Sequence, residues 1–366
     1  MELKIKLQRL FKKTFQKLFI FFYGRIFYKE NYNFLKENPA NEIRKIYIDN
    51  LEYNCLIINN GVLYTDLVES VAVVTNNNLI PKANFQKVNN ELVDDYKNVS
   101  LTKGTPRIRK KIDKTVVSLI QDASGKNYAH WLLDILPKLE ILNKTISTDI
   151  VDYFLLPELK YNFQYETLKI LGIPTKKILN TKFNRHIKAK KLIIIDHPWY
   201  SKGTVHDEMI NIHEWIIKWL RKKFLEFSDS KTKDLKLFID RSDSIFNHCK
   251  LINSNDVWNL LKKNGFQKLK LSSINFQEQV NLFNSADTIV GAHGAGLANT
   301  IFSKANTKII EIKPKNHNNQ FIKKISKVNN LNHKIITSND IKLKDTNLSG
   351  DINVNIEELQ KNLDSQ

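Results

Sequence analysis

The strongest constraint on the fold is a regular alternation of strand-like and helix-like segments in the second half of the chain. Apolar, β-branched runs at Leu235–Ile239 and Thr288–Val290 predict strands. Ser254–Lys263 and Phe276–Ala286 carry apolar residues at helical spacing, and Asn275 is placed to cap the second of these helices. Strands separated by helices of this length run parallel in one sheet, so this half predicts a doubly wound α/β fold.

The first half begins with short strands and ends in a similar alternation. Tyr53–Ile58 and Val62–Tyr64 are rich in β-branched and aromatic residues, and the Asn60-Gly61 dipeptide between them predicts a hairpin turn. From Asn127 to Leu142 the apolar residues recur at helical spacing. The predicted fold class is therefore α/β for the whole chain, with two Rossmann-like halves.

A chain of 366 residues is long enough for two domains. The best boundary is the segment Asp196–Gly203, which lies before a long amphipathic stretch and contains a proline and a glycine. We expect a basic amphipathic segment at residues 1–30 and an α/β domain at residues 31–200. A second Rossmann-like domain, ending in a terminal helix, is expected at residues 201–366.

The formal net charge of +19 is large, and by itself it would suit nucleic acid, an anionic membrane or a phosphorylated substrate. No DNA- or RNA-reading motif accompanies it, so no nucleic-acid partner is expected. The chain has only two cysteines, Cys55 and Cys249, which excludes a disulfide framework and a cysteine-based zinc site. A reducing compartment, the cytoplasm, is the expected location.

Part of the excess charge lies at the amino terminus. The first thirty residues hold eight lysines and arginines against Glu2 and Glu30, interleaved with leucines and phenylalanines. The longest unbroken apolar run, Leu18–Tyr23, is far too short to span a bilayer. Residues 3–28 therefore predict either a helix lying on an anionic membrane surface, here its inner face, or a first helix that packs on the domain with a solvated basic face.

A glycine-rich turn follows the predicted strand at 288–290. Glycines let backbone N–H groups approach a ligand closely, and the helix that begins after them directs its positive end at the same place. His293 adds a titratable side chain beside Gly294 and Gly296, at the carboxyl end of a strand, where parallel sheets bind ligands. The turn lacks a serine or cysteine nucleophile, which argues against a hydrolase. These features predict an anion-binding site.

Three more side chains are expected near this turn. Arg241 follows another strand and suits bidentate phosphate binding, and Lys250 is a second candidate cation. Glu311, near the end of the next strand, could accept hydrogen bonds from a ribose diol, or it could merely pair with Lys313.

His130 and Asp134 are the candidate catalytic pair. They are four residues apart, so they share one face once the helix has begun. A carboxylate bonded to an imidazole orients the ring and raises its basicity, as a general base for a hydroxyl requires. The alternative is a capped helix start in which backbone groups satisfy His130. No metal-ligand spacing is evident elsewhere, so no metal site is predicted.

These stretches, in this order, resemble glycosyltransferase family 61, which includes capsular polysaccharide transferases. The resemblance rests on residues 127–137, Asp240-Arg241, and the blocks 276–286, 289–299 and 309–312. The chain departs from the family at Cys249-Lys250, where members often carry paired arginines, so phosphate binding is expected to rest on Lys250.

The resemblance implies a GT-B fold with two facing Rossmann-like domains, and inverting transfer of a sugar from a nucleoside-diphosphate sugar to a hydroxyl of a glycan or lipid-linked acceptor. It implies surface polysaccharide biosynthesis, and neither a cofactor nor an essential metal. His130 and Asp134 would be catalytic. The residues that would bind the donor are Arg241, Lys250, His293, Gly294, Ala295, Gly296, Asn299 and Glu311. The alternative function is a catalytically silent scaffold that binds nucleotide sugars. The loop His197–Tyr200 would either stack a sugar or pack in the interior.

Overall fold

The computed structural model describes residues 2–65, 70–88, 91–102, 108–120, 125–228, 234–244, 249–315, 317–338 and 350–365. The chain divides into two structural units. The first comprises residues 1–160 and 173–204, and the second comprises residues 161–172 and 205–366. The main division thus follows Thr204, directly after the predicted boundary segment Asp196–Gly203 and four residues beyond the predicted domain limit at residue 200. One helix from the first half belongs to the second unit.

The first unit is built on a mixed sheet. Its strands are β1 (Phe27–Tyr28), β2 (Glu42–Ile48), β3 (Leu51–Asn59), β4 (Val62–Tyr64), β5 (Ala72–Thr75), β6 (Asn78–Leu79), β7 (Lys87–Val88), β8 (Glu91–Leu92), β9 (Lys110–Ser118), β10 (Tyr153–Leu156), β11 (Ile178–Asn180) and β12 (His186–Ile195). The order is β1-β6-β5-β4-β12-β9-β10-β11, with β3 pairing β2 and β12, and with β7 and β8 as a separate ribbon. Strand β12 is central: it runs parallel to β9 and antiparallel to β3 and β4.

The predicted hairpin at Asn60-Gly61 is wrong. Strands β3 and β4 do not pair with each other, because both pair with β12 in succession. Gly61 instead allows its backbone to lie close to the Leu192 side chain, since a Cβ at position 61 would lie 2.6 Å from Leu192 Cβ. Asp49-Asn50 and Asn76-Asn77 each form a two-residue hairpin turn, with φ between 45° and 64° as a type I′ turn requires.

One helical segment of the first unit carries His130, the predicted candidate base. The helices of this unit are α1 (Glu2–Tyr23), α2 (Asn33–Lys36), α3 (Val99–Thr102), α4 (Tyr128–His130) and α5 (Leu136–Thr145), with a π-helical turn at Trp131–Ile135 joining the last two. The helix predicted over Asn127–Leu142 is therefore confirmed, with one widened turn. The apolar side chains of this turn, including Trp131 and Leu132, are fully buried.

The second unit carries a parallel sheet in the order β14-β13-β15-β16-β17. Its strands are β13 (Leu235–Ile239), β14 (Gln267–Leu269), β15 (Ala286–Ala292), β16 (Lys308–Pro314) and β17 (Asn332–Ser338). Its helices are α6 (Asn162–Ile170), α7 (Val205–Glu208), α8 (Glu214–Leu225), α9 (Ser254–Lys263), α10 (Phe276–Ser285), α11 (Phe321–Asn329) and α12 (Ile356–Asp364), with a 3-10 helix at Ala295–Phe302. The predicted alternation and the α/β fold class are confirmed.

Helix α1 makes few contacts with the rest of the first unit. Phe19 packs with Ile26, Val62 and Tyr64 in a small core, whereas residues 4–14 are exposed. Within the described ranges, no helix combines the length and apolar character needed to cross a membrane.

Candidate active site

The glycine turn of the second unit lies at the carboxyl end of β15. His293 and Gly294 follow this strand, and the 3-10 helix begins at Ala295. The first bond of this helix runs from the Leu297 N–H to the Gly294 carbonyl at 3.0 Å. The N–H groups of Gly294, Ala295 and Gly296 precede that bond and cannot reach a carbonyl of the helix. They form the amide-rich helix start that suits an anion.

Strand register explains why Arg241 lies beside this turn. Ile239 of β13 pairs with Gly291 of β15, so the residues two positions further on, Arg241 and His293, lie side by side at the sheet edge. The guanidinium donates a hydrogen bond to the His293 carbonyl. Burial lowers the pKa of Arg241, and the neighbouring Cys249 opposes this effect. The cation is therefore held against the glycine turn with further N–H donors to offer.

Gly294 is required by this contact. A Cβ at that position would lie 2.5 Å from Arg241 Cζ and 2.8 Å from Arg241 Nε. Distances this short force the guanidinium away from the turn.

We expect Gly294→Ala to displace Arg241 and to weaken nucleoside-diphosphate binding. Because the displaced atoms form the end of a flexible side chain, the free energy of unfolding should change little. Calorimetric titration and chemical denaturation measure the two effects. Gly291→Ala is the matched control, because its Cβ would lie 3.2 Å from Leu297 Cδ2 and away from Arg241, so affinity should persist. Equal affinity in Gly294→Ala and wild type would contradict the assignment.

Glu311 lies at the centre of a buried hydrogen-bonded chain. Its Oε1 is 2.5 Å from His293 Nδ1, and its Oε2 is 2.8 Å from His333 Nε2. Burial alone would raise the pKa of Glu311, but these two histidines outweigh it and lower the pKa to about 2. The side chain is a carboxylate with both oxygens engaged. It orients His293, and its predicted contact with a ribose stays a prediction. The predicted alternative, pairing with Lys313, is replaced by the two histidines.

His293 is a neutral ring in this setting. Burial lowers its pKa, as do Lys313 and Arg241, and Glu311 only partly opposes them. With the Nδ1 proton donated to Glu311, the other nitrogen, Nε2, carries no proton and can only accept a hydrogen bond. The ring is packed against His317, with centroids 4.0 Å apart, and edge-on to Phe321.

Asn299 and Lys250 are two further residues predicted to bind the donor. Asn299 is fully buried and donates to Gln279 Oε1 at 2.9 Å and to the Gly296 carbonyl at 3.2 Å, so it fixes the 3-10 helix on α10. Lys250 is exposed, and its carbonyl accepts from Ile352 N–H. Their roles toward a donor stay predictions.

The candidate base of the first unit is built at a capped helix start. Asn127 Oδ1 accepts the N–H of Ala129 at 2.9 Å and of His130 at 3.3 Å. The π-helical turn follows, and His130 Nδ1 lies 2.8 Å from Asp134 Oδ2. The cap and the side-chain pair therefore coexist. A neutral imidazole that donates from Nδ1 presents Nε2 as the proton acceptor.

Both carboxylate oxygens of Asp134 have side-chain donors close to them. Its Oδ1 accepts the indole N–H of Trp199 at 2.9 Å, and His197 Nε2 lies 3.9 Å from Oδ2. Burial alone would raise the pKa of Asp134, but His130 and His197 hold the pKa well below its usual range. Lys138, one turn further along the helix, is also buried, and burial lowers its pKa to about 8.

The structure thus brings together Arg241, His293, Gly294 and Glu311 in the second unit, and His130 and Asp134 in the first. Sequence reasoning missed Lys138 and His333, and it named Trp199 only within the loop His197–Tyr200, which would stack a sugar or pack in the interior. A signal existed for Trp199, whose loop follows a strand end, but none marked His333. In the part of the chain that the structure describes, no group of three or more histidines, cysteines or carboxylates is arranged to hold a metal ion.

Comparison with known proteins gives one family match. The family model described as Glycosyltransferase 61 matches residues 128–310. No curated protein matches the chain. Among solved structures, the iron-containing dodecameric glycosyltransferase TibC from enterotoxigenic E. coli H10407 is similar at 10% identity and a TM-score of 0.28. The match covers 74% of this chain and 77% of the TibC chain. TibC in complex with ADP-D-β-D-heptose is similar at 10% identity and a TM-score of 0.27, and the match covers 71% of this chain and 75% of the TibC chain.

Proposed function

The chain belongs to glycosyltransferase family 61, and we propose that it is an inverting transferase. In the proposed reaction a sugar moves from a nucleoside-diphosphate sugar to a hydroxyl of a glycan or lipid-linked acceptor. The observation that carries the proposal is the buried His130–Asp134 pair, with its 2.8 Å contact at Nδ1. Surface polysaccharide biosynthesis is the proposed role.

In this mechanism His130 Nε2 takes the proton of the acceptor hydroxyl. The oxygen attacks the anomeric carbon from the face opposite the diphosphate. One carbon–oxygen bond forms while the bond to the diphosphate breaks, so the configuration inverts. Asp134 supports the resulting imidazolium, as a carboxylate bonded to Nδ1 does in other general bases. No covalent enzyme intermediate is required.

The donor side must stabilise a departing diphosphate. Arg241 and the amides of Gly294, Ala295 and Gly296 are the proposed anion site, supported by the guanidinium packed on the turn. Lys250 is proposed as a second cation. A neutral His293 is suited to a donor hydroxyl, because its Nε2 accepts hydrogen bonds.

In this proposal the first unit binds the acceptor and the second unit binds the donor, as the two domains of a GT-B enzyme do. It is supported by the base in the mixed-sheet unit and by the glycine turn at the edge of the parallel sheet. Transfer without an essential metal is part of the proposal.

A transfer assay with a panel of labelled nucleoside-diphosphate sugars tests the function. We expect product with the anomeric configuration opposite to that of the donor, read by NMR, and full activity in EDTA. Nucleotide-sugar binding without any product would instead identify the silent scaffold. Loss of activity in EDTA that Mn²⁺ restores would contradict the metal-free mechanism.

We further propose that α1 attaches the enzyme to the inner face of the membrane. Large apolar side chains on one face of the helix are exposed, including Leu10 at 64% and Phe21 at 80%. No acidic residue lies between Leu3 and Lys29, so every charged residue beside this face is a lysine or an arginine. Apolar surface beside uncompensated basic charge suits an anionic leaflet. The two cysteines are buried and are not joined in a disulfide, which agrees with a cytoplasmic location.

We expect Leu10→Ser with Phe21→Ser to weaken binding to phosphatidylglycerol vesicles at least tenfold, because burying each side chain contributes roughly 1.5–3 kcal/mol. Sedimentation with vesicles measures the change. Phe183→Ser is the control, since Phe183 is 72% exposed but lies outside α1. Point substitutions are preferable to deleting residues 1–28, which would remove the buried Phe19 and Ile26. Unchanged sedimentation would contradict membrane attachment.

A further inference from the structure

The loop His197–Tyr200, which follows β12, is an interior element of the first unit. Trp199 is only 6% exposed and Tyr200 is also buried. The Tyr200 hydroxyl donates to the Gly203 carbonyl at 2.6 Å, and the Pro198 carbonyl accepts from the Tyr53 hydroxyl at 2.9 Å. Side chains enclosed in this way have little face to offer a sugar ring, so the interior alternative is the better one.

Hydrogen bonds fix the tautomer of His197. Its Nδ1 accepts the backbone N–H of Tyr200 at 2.9 Å and of Trp199 at 3.2 Å. A nitrogen that accepts two N–H groups carries no proton, so the ring proton is on Nε2. That nitrogen is the one 3.9 Å from Asp134 Oδ2. The ring is further restrained by stacking on Phe85 at an interplanar angle of 20°.

Trp199 completes the enclosure of Asp134. An indole nitrogen can only donate, so its 2.9 Å contact fixes Oδ1 as an acceptor. Oδ2 is left to His130 and, more distantly, to His197. With different donors on its two oxygens, the carboxylate cannot rotate without breaking a buried hydrogen bond.

We propose that the loop His197–Tyr200 is a positioning element for the base: Trp199 and His197, acting through Asp134, hold His130 in the tautomer that accepts a proton at Nε2. The inference deepens the proposed function and rests on it.

Other charged groups face the same interior. Lys138 lies on the helix that carries Asp134, and Asp196 precedes the loop. Asp196 Oδ2 accepts the backbone N–H of Asn54 at 2.8 Å and its side-chain amide at 2.9 Å. Both carboxylates act on Lys138, and Lys82 also acts on Asp196, so two buried carboxylates face one buried ammonium before either histidine is protonated.

Trp199→Phe tests the proposal, because it keeps an aromatic ring in the interior while it removes the N–H donor to Asp134. We expect kcat to fall about tenfold or more, since a hydrogen bond to a charged group is lost. The KM for the donor should stay unchanged. Losing this donor leaves more negative charge on Asp134 facing His130, so the acidic limb of the pH–rate profile should move to higher pH. A higher KM for the acceptor with unchanged kcat would overturn the proposal and identify Trp199 as part of a sugar subsite.

The matched control is Trp219→Phe. Trp219 is buried, and among the described residues its Nε1 has no hydrogen-bond partner, so kcat and the pH profile should match wild type. Equal losses in both variants would overturn a specific role for Trp199.

A readout that needs no activity separates this inference from the proposed function. The His130 ring, assigned in NMR spectra by its loss in His130→Ala, should titrate at higher pH in Trp199→Phe than in wild type. If Trp199→Phe does not fold, His197→Asn replaces it as the test variant. The asparagine Oδ1 can still accept the two backbone N–H groups, and we expect a smaller shift of the His130 titration in the same direction. Unshifted titration in the folded variants overturns the inference even if transfer is demonstrated. Absence of transfer in wild type overturns the proposed function alone.

Discussion

Replacing His130 by alanine is expected to abolish sugar transfer while nucleoside-diphosphate binding survives. A general base contributes about 10²–10⁴-fold to the rate, and kcat should fall by that amount. Binding should persist because the proposed anion site belongs to the second unit, around Arg241 and Gly294. A labelled-donor assay and calorimetric titration with a nucleoside diphosphate measure the two properties on the same preparation.

His213→Ala controls for removing a histidine, because His213 is the residue before α8 and was assigned to neither cluster, so it should leave kcat unchanged. Asp134→Asn sharpens the test. An asparagine can donate to His130 Nδ1 and so favours the tautomer with the proton on Nε2, which cannot accept one, and kcat should fall strongly although the ring remains. Joint loss of transfer and nucleotide binding in His130→Ala would contradict the separation of roles.

Replacing Arg241 by alanine is expected to weaken nucleoside-diphosphate binding about 10- to 100-fold, because a charge-assisted hydrogen bond contributes about 1.5–3 kcal/mol. The guanidinium is anchored to the His293 carbonyl, so its remaining N–H groups are positioned before a ligand arrives. Calorimetric titration gives the affinity directly. Arg241→Lys should recover only part of it, since an ammonium lacks the planar fork of donors.

Net charge requires its own control, because a chain with a formal charge of +19 attracts any anion. Arg44→Ala removes the same charge from an exposed side chain of the first unit that pairs with Glu42. It should leave the affinity unchanged at physiological ionic strength. Equal losses in Arg241→Ala and Arg44→Ala would show that long-range attraction, rather than a site, binds the nucleotide.

Local sequence was sufficient for much of the second unit. The spacing of apolar residues predicted the parallel strands, and the capping box of α10 is confirmed, with Asn275 Oδ1 accepting the Glu278 N–H at 2.8 Å. The pairing of His130 with Asp134 was within reach because residues four apart meet on one helix face. The hairpin predicted at Asn60-Gly61 failed because β12 pairs with both flanking strands, and this depends on residues far along the chain.

Residues close together along the chain were enough to predict the fold class, the helix with the candidate base and the glycine turn at a helix start, because a few neighbouring residues encode each of these features. Tertiary structure alone decided which side chains complete these sites. Trp199 reaches Asp134 across 65 positions, and His333 reaches Glu311 across 22. Arg241 contacts the glycine turn only because β13 and β15 pair in one register. Hydrogen bonds of this kind depend on strand register and loop path to within an ångström, and residue spacing along the chain does not specify either.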